Sequence, residues 1–197
     1  MKSVDFNKSN NFIYGGFIDK KVCDDLINFF EESVDDQHDG VCNWMGVTIV
    51  NKKVKASVDV EVSVFNQSPI IINYIKELNK VLAKYKKKYK YAHEKQNFWS
   101  ICEYFNIQKY NPKEKFSVWH CEKNGPGNSL RHLAFMTYLN DVEKGGGTEW
   151  IHQKLKVKPE KGKTVIWPAE WTHTHRGIVA PKETKYIATG WYGYIPQ

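Results

Sequence analysis

Two short histidine-bearing stretches in the C-terminal half hold the residues that could do chemistry. The first is Trp119-His120-Cys121-Glu122. The second is His173-Thr174-His175-Arg176-Gly177, with Lys185 ten residues beyond His175. Together they offer imidazoles, one carboxylate and a cation. Residues i and i+2 of a strand point to one face. On a strand, His120 and Glu122 can therefore reach one metal while Cys121 faces the other way. A second imidazole must come from a neighbouring strand, and His173 and His175 both follow a strand read over Gly162–Pro168. Two histidines and one carboxylate on one face of an octahedron leave three positions open. That suits a mononuclear non-heme Fe(II) centre with an oxo-acid cosubstrate; structural zinc would close its tetrahedron. Lys185 suits the same cosubstrate, because a buried carboxylate needs a charge-assisted partner.

These residues need a scaffold, and its elements can be read along the chain. Phe116-Ser117-Val118-Trp119 is rich in strand formers and leads into His120. Phe12–Ile18 reads as an opening strand, and Asp19 as the N-cap of a helix over Lys20–Ser33 with Val22, Leu26, Phe29 and Phe30 on one face. Asp35–Gly40 reads as a loop, and Trp44–Phe65 as strand-like, notably in the alternation Val58-Asp59-Val60-Glu61-Val62. Ile71, Ile75, Leu78, Leu82, Tyr85 and Tyr89 recur at helical spacing, so a long helix is expected over Pro69–Lys88, packed on the outside of a sheet. From Phe98 onward short strands and turns dominate, with Gly145-Gly146-Gly147 as a hairpin loop. The pattern is mainly β within an α+β class: a double-stranded β-helix, or jelly roll, with N-terminal helices on one sheet.

The 197 residues fit one domain, read as supporting strands and helices over residues 1–97 and a jelly-roll core over residues 98–197. The net charge is +7. No apolar run could span a bilayer, and Met1–Asn7 lacks a signal-peptide core. A cytoplasmic location is therefore expected. Cys23, Cys42, Cys102 and Cys121 show no metal-binding or disulfide spacing, so reduced thiols are expected. His38, His93, His132 and His152 are read as structural. Trp119, Trp150, Trp167 and Trp171 form a candidate aromatic rim that keeps water from the site.

The C-terminal half resembles the Fe(II)/2-oxoglutarate-dependent oxygenases of the prolyl 4-hydroxylase type. The resemblance rests on His120-Cys121-Glu122, Tyr138-Leu139-Asn140-Asp141, Gly145-Gly146-Gly147-Thr148, Lys161-Gly162-Lys163, His175-Arg176-Gly177 and Lys185-Tyr186, in that order, over residues 100 to 193. The run Thr172–Gly177 is most similar to small oxygenases carried by bacteriophages, which would place the protein in a bacterial host's cytoplasm. The resemblance implies Fe(II) held by His120, Glu122 and His175. It implies 2-oxoglutarate with its far carboxylate on Lys185 and Tyr110, O2 as co-reactant, and succinate and CO2 as co-products of C–H hydroxylation. His175 is preferred to His173 because the family's cation follows its distal histidine by about ten residues; if the segment is extended, His173 shares the face of His175 and could support a metal ligand or meet the substrate. A peptidyl proline, in a peptide or protein, is the first substrate by analogy. A requirement for ascorbate and the oligomeric state stay open.

Two positions depart from the family. Aspartate is usual where this chain has Glu122, one methylene longer, which must fold back or shift its strand to ligate the same metal. A threonine is frequent where this chain has Ala134. Two other readings compete: a non-catalytic binding module with a degenerate metal site, and an oxygenase acting on nucleic acid or a free small molecule. Nucleic acid could be met by Lys84-Tyr85-Lys86-Lys87-Lys88-Tyr89-Lys90, where lysines interleave with aromatics. The simpler account makes the tyrosines an apolar helix stripe and the lysines its solvated face.

Overall fold

Both faces of the central strands are apolar, and that sets the architecture. A computed structural model gives the fold of residues 3–4, 11–44, 47–93 and 98–195. Of Met1–Asn7, only Ser3 and Val4 fall within the described residues. In order, the chain forms β1 (Ser3–Val4), β2 (Tyr14–Phe17), α1 (Lys20–Glu32), β3 (His38–Asp39), β4 (Val41–Trp44), β5 (Val47–Val50), β6 (Val58–Val62) and α2 (Pro69–Lys88). Then follow β7 (Trp99–Ser100), β8 (Phe105–Tyr110), β9 (Arg131–Tyr138), β10 (Thr148–Trp150), β11 (Leu155–Val157), β12 (Lys163–Pro168), β13 (His175–Gly177) and β14 (Lys185–Tyr194). The large sheet runs β1-β2-β12-β9-β14-β8-β6-β3, with β7 also on β14. A small sheet runs β11-β10-β13, and β4 pairs only β5. Every pairing is antiparallel. This is the mainly β jelly roll expected from the sequence.

Strand β9 shows how the layers form. Leu133 and Phe135 face the helices, in one core with Leu26, Phe30, Ile71, Tyr74 and Leu78. Ala134, Met136 and Tyr138 face the small sheet, in a second core with Trp150, Leu155, Val157 and Trp167. Period-two alternation therefore sorts residues between two apolar layers rather than between core and water. Burial of each large apolar side chain contributes roughly 1.5–3 kcal/mol. Three buried hydroxyls satisfy one another: Tyr74 Oη lies 3.1 Å from Thr137 Oγ1, which lies 2.8 Å from Thr164 Oγ1.

The helices sit where the apolar spacing placed them. Asp19 caps α1 by accepting from the Lys21 N–H at 2.8 Å. Pro69 occupies the first turn of α2, where its missing N–H costs nothing. Tyr85 and Tyr89 are buried in the helix core. Lys86 lies over the Trp99 ring and Lys88 over the rings of Tyr14 and Tyr89. The tyrosines are thus packed in the interior and not offered for stacking on bases. Asp35–Gly40, read as a loop, overlaps a 3₁₀ turn (Val34–Asp36) and contains β3, which pairs with β6. Gly145, at φ +76°, makes the turn before β10, and a Cβ there would collide with the Val179 carbonyl. Among the described residues no helix is long and apolar enough to cross a membrane. All four cysteines are free.

Candidate metal centre and cosubstrate pocket

The site lies between the two sheets, in a cavity of about 870 Å³. His120, Glu122, His175, Lys185 and Tyr110 all line it. His120 and His175 are direct cross-chain neighbours that exchange both backbone bonds: His120 N–H donates to His175 O at 3.0 Å, and His175 N–H to His120 O at 2.9 Å. Their ring centroids are 4.4 Å apart. Glu122 Oε1 lies 3.1 Å from His175 Nε2 and 3.7 Å from His120 Nε2. One ligand atom from each of the three lies within 4.8 Å of the others.

The tautomers are set from behind. His120 Nδ1 lies 2.8 Å from Val118 O, and His175 Nδ1 lies 3.0 Å from His173 O. A carbonyl only accepts, so each Nδ1 carries a proton, and each Nε2 faces the cavity and Glu122, where a metal can take the place of a proton. Burial, then the charge of His175, push the His120 pKa down to about 4, so it stays neutral. Burial alone would raise Glu122. The hydrogen bond with His175, and then the neighbouring His175 and His120 rings and the Arg131 guanidinium, outweigh it and hold the carboxyl well below the usual range. Neutral imidazole nitrogens beside an ionised carboxylate are a donor set that fits Fe(II). Phe116 stacks on His120 at 4.0 Å, and Trp150 and Trp167 pack on His175, so apolar rings shield the donors.

The route to this geometry differs from the strand reading in one respect. His120 forms a single bridge to His175 and does not lie in a regular strand; Phe116 forms another to Lys55. Glu122 N–H is held instead by Ala169 O at 3.1 Å. Two bridges and that anchor achieve what a strand would. Cys121 lies outside the donor group, with its thiol on Lys123 O. His173 is not on a common strand face with His175. It ends a 3₁₀ turn (Trp171–His173), and its Nε2 lies 3.0 Å from Asn11 O in a different cleft. Trp171 belongs to that cleft too and not to the rim of this cavity; Trp119 is held under Arg176 at 4.3 Å.

Glu122 is folded back by a residue the sequence reading missed. Trp191 Nε1 donates to Glu122 Oε2 at 2.8 Å. The Trp191 ring lies 3.4 Å beneath the Arg131 guanidinium, which is paired through two nitrogens to Glu103. One carboxylate oxygen is thereby tied away, and the other faces the imidazoles. The signal for Trp191 was present. Lys185, Ile187, Thr189 and Trp191 are spaced by two on β14, and all line the cavity.

At the other end of the cavity Lys185 is buried, and among the described residues no carboxylate lies within ion-pairing distance of it. Its Nζ lies 4.5 Å from the Tyr110 ring centroid, its register partner on β8. Burial pushes its pKa down to about 8. An unpaired buried cation of this kind fits an incoming carboxylate. The Tyr110 hydroxyl donates to Gln108 Oε1 at 2.8 Å, Gln108 Nε2 donates to Asp59 Oδ2 at 3.0 Å, and Lys55 meets the same oxygen at 2.5 Å. This buried Lys55–Asp59–Gln108 chain was also missed. Asp59 alternates with core valines on β6, but its face of the sheet is the cavity and not water.

Residues 105–193 match the sequence model of the 2OG-Fe(II) oxygenase superfamily. Over that span the chain carries a 2OG-Fe(II) oxygenase domain, and in sequence it is similar to prolyl 4-hydroxylases; the superfamily is named for its use of 2OG and Fe(II). A probable prolyl 4-hydroxylase of Arabidopsis thaliana is 30% identical over 115 residues, covering 45% of this chain and 40% of that protein. The match thus spans about two fifths of that relative's length. A viral collagen prolyl hydroxylase from Paramecium bursaria Chlorella virus-1, solved with 2OG, has a TM-score of 0.67 at 18% identity, over 93% of this chain and 97% of that one. A Trichoplax adhaerens prolyl hydroxylase, in complex with a hypoxia inducible factor peptide fragment, has a TM-score of 0.68 at 12% identity, over 93% and 84%. At those identities the likeness shows a shared fold. The oxygenase domain's matched span begins at β8 and ends in β14, so it includes every proposed site residue.

Proposed function

We propose that this protein hydroxylates an unactivated C–H bond of a peptide, with a peptidyl proline as the first candidate. The observation that carries the reading is the single cavity that joins the His120–Glu122–His175 donors to the unpaired Lys185. When bound, Fe(II) and 2-oxoglutarate supply the oxidising chemistry: O2 places one oxygen atom on the substrate carbon and one in succinate as CO2 leaves. His120 Nε2, Glu122 Oε1 and His175 Nε2 would hold the metal and leave its remaining positions open. Lys185 would receive the cosubstrate's far carboxylate, with its position fixed against the Tyr110 ring. Phe116, Trp150 and Trp167 keep water from the donors. The peptide reading draws on the named activities of the relatives.

The test combines the Fe(II)-loaded protein, 2-oxoglutarate, O2 and a library of proline-containing peptides, read by mass spectrometry. A peptide gaining one oxygen atom, in step with succinate, is the expected result. Succinate release that no peptide stimulates would sink the peptide reading and leave the oxygenase one.

Trp191→Phe offers a sharper test of the carboxylate's role. It keeps a ring beneath Arg131 but removes the donor to Glu122. Fe(II) affinity is expected to fall roughly 10- to 100-fold, the usual loss when a ligand's outer hydrogen-bond partner is removed. Anaerobic metal titration reads this directly, and an unchanged affinity would show that the indole does not orient Glu122.

A further inference from the structure

A second cleft, of about 620 Å³, opens beside the turn that leads into His175. Its walls include Asn11, Phe12, His152, Gln153, Trp171 and His173. Among the described residues two buried polar atoms there have no hydrogen-bond partner: Asn11 Nδ2 and Gln153 Oε1. The other ends of both amides fix which atom is which. Asn11 Oδ1 accepts from the Ile13 N–H at 3.0 Å, and Gln153 Nε2 donates to Thr172 O at 3.0 Å. The cleft therefore presents one unmet donor and one unmet acceptor. Leaving such groups buried and unpaired is costly, and a ligand that pairs them recovers that cost.

The aromatic walls point the same way. Phe12 is a non-glycine residue at φ +58°, in the left-handed region, and the residue is 48% exposed. Its surroundings hold that conformation: Tyr85 Oη donates to Phe12 O at 3.2 Å, and His173 Nε2 lies 3.0 Å from Asn11 O. Backbone held in a sparse conformation is a reason to look for a ligand contact. Trp171 is 65% exposed, with His152 edge-on to it at 6.0 Å. Among the described residues no lysine, arginine, aspartate or glutamate lines the cleft, so its walls are aromatic and amide in character.

We infer that this cleft is a second binding site, for an extended peptide segment. A peptide unit carries both groups the cleft lacks. Its carbonyl accepts from Asn11 Nδ2, and a neighbouring N–H donates to Gln153 Oε1. A proline ring or aliphatic side chain packs on Trp171 and Phe12, as in other aromatic-lined grooves for extended peptides. The site does not depend on the proposed reaction, since none of the metal-site residues lines it. It does share a wall with that site: His173 O, which orients His175 Nδ1, belongs to the same turn.

The test is calorimetric titration of the full chain, without iron or 2-oxoglutarate, with an acetylated and amidated peptide of alternating proline and alanine. Asn11→Asp keeps the acceptor for Ile13 but replaces the unmet donor with an oxygen. Trp171→Ala removes an exposed ring and leaves the core intact. Saturable binding to the wild type, weakened about ten-fold or more in each variant, is the expected result. No binding, or equal affinity in all three proteins, overturns the inference. Adenosine binding that is lost in Asn11→Asp, with no peptide binding, also overturns it and assigns the cleft to a heterocycle. Failure of hydroxylation would leave these readings unchanged, because no reaction is run.

Discussion

His175→Ala is expected to abolish measurable Fe(II) binding, while His173→Ala leaves most of it. The two histidines are two residues apart and both are buried, so composition and burial do not separate them. Geometry does. His175 Nε2 lies 3.1 Å from Glu122 Oε1, whereas His173 Nε2 is occupied by Asn11 O at 3.0 Å. Loss of an outer partner of a metal ligand costs roughly 10- to 100-fold in affinity. Loss of one of only three protein donors must cost more. His173→Ala keeps the backbone carbonyl that orients His175 Nδ1, so its effect stays at or below that outer-partner range. Anaerobic titration with Fe(II) and 2-oxoglutarate, followed by the weak visible metal-to-ligand charge-transfer band, reads both variants. Equal losses would undo the assignment of His175.

The same pair shows what the sequence could and could not tell. Spacing to Lys185, taken with the family resemblance, pointed to His175, but the reading of an extended segment put His173 on the same face. The turn at Trp171–His173 breaks that period and rotates His173 into another cleft. Helices were the most legible elements. The apolar stripe of α2 and the Asp19 cap of α1 are local signals, and both ends agree with the structure to within a residue. The strands were legible as strands, but the meaning of their alternation was not. On β6 Asp59, set between valines, looks solvent-facing in sequence, and on β14 Trp191 reads as one more apolar core residue. In a two-sided sheet both face the cavity instead, and that is why they escaped notice. The Glu122 departure from aspartate has its counterpart in that same hidden face. The longer side chain reaches the Trp191 indole with one oxygen and the imidazoles with the other, a contact that no motif spacing encodes.

Lys185→Ala is expected to raise the apparent Michaelis constant for 2-oxoglutarate steeply, with modest effect on Fe(II) affinity. Removing one partner of a buried charge pair costs roughly 2–5 kcal/mol, or about thirty-fold to several thousand-fold in affinity. The upper part of that range applies where nothing replaces the lost cation, and Lys55 is already neutralised by Asp59. A pH signature separates this role from a structural one. In the free protein burial lowers the Lys185 pKa to about 8, because the charged form is desolvated without a partner. A bound carboxylate favours the charged form and raises that pKa. Below pH 8 the lysine is already protonated, and cosubstrate affinity is flat with respect to this group. Above pH 8 binding must take up a proton, so affinity falls by about ten-fold per pH unit until the pKa of the complex is passed. The metal and its three donors are common to both proteins, so their own pH dependence cancels in the comparison. The slope must therefore be present in the wild type and absent in Lys185→Ala. A Michaelis constant that is unchanged in the variant, or a slope that both proteins share, would remove Lys185 from the cosubstrate's carboxylate.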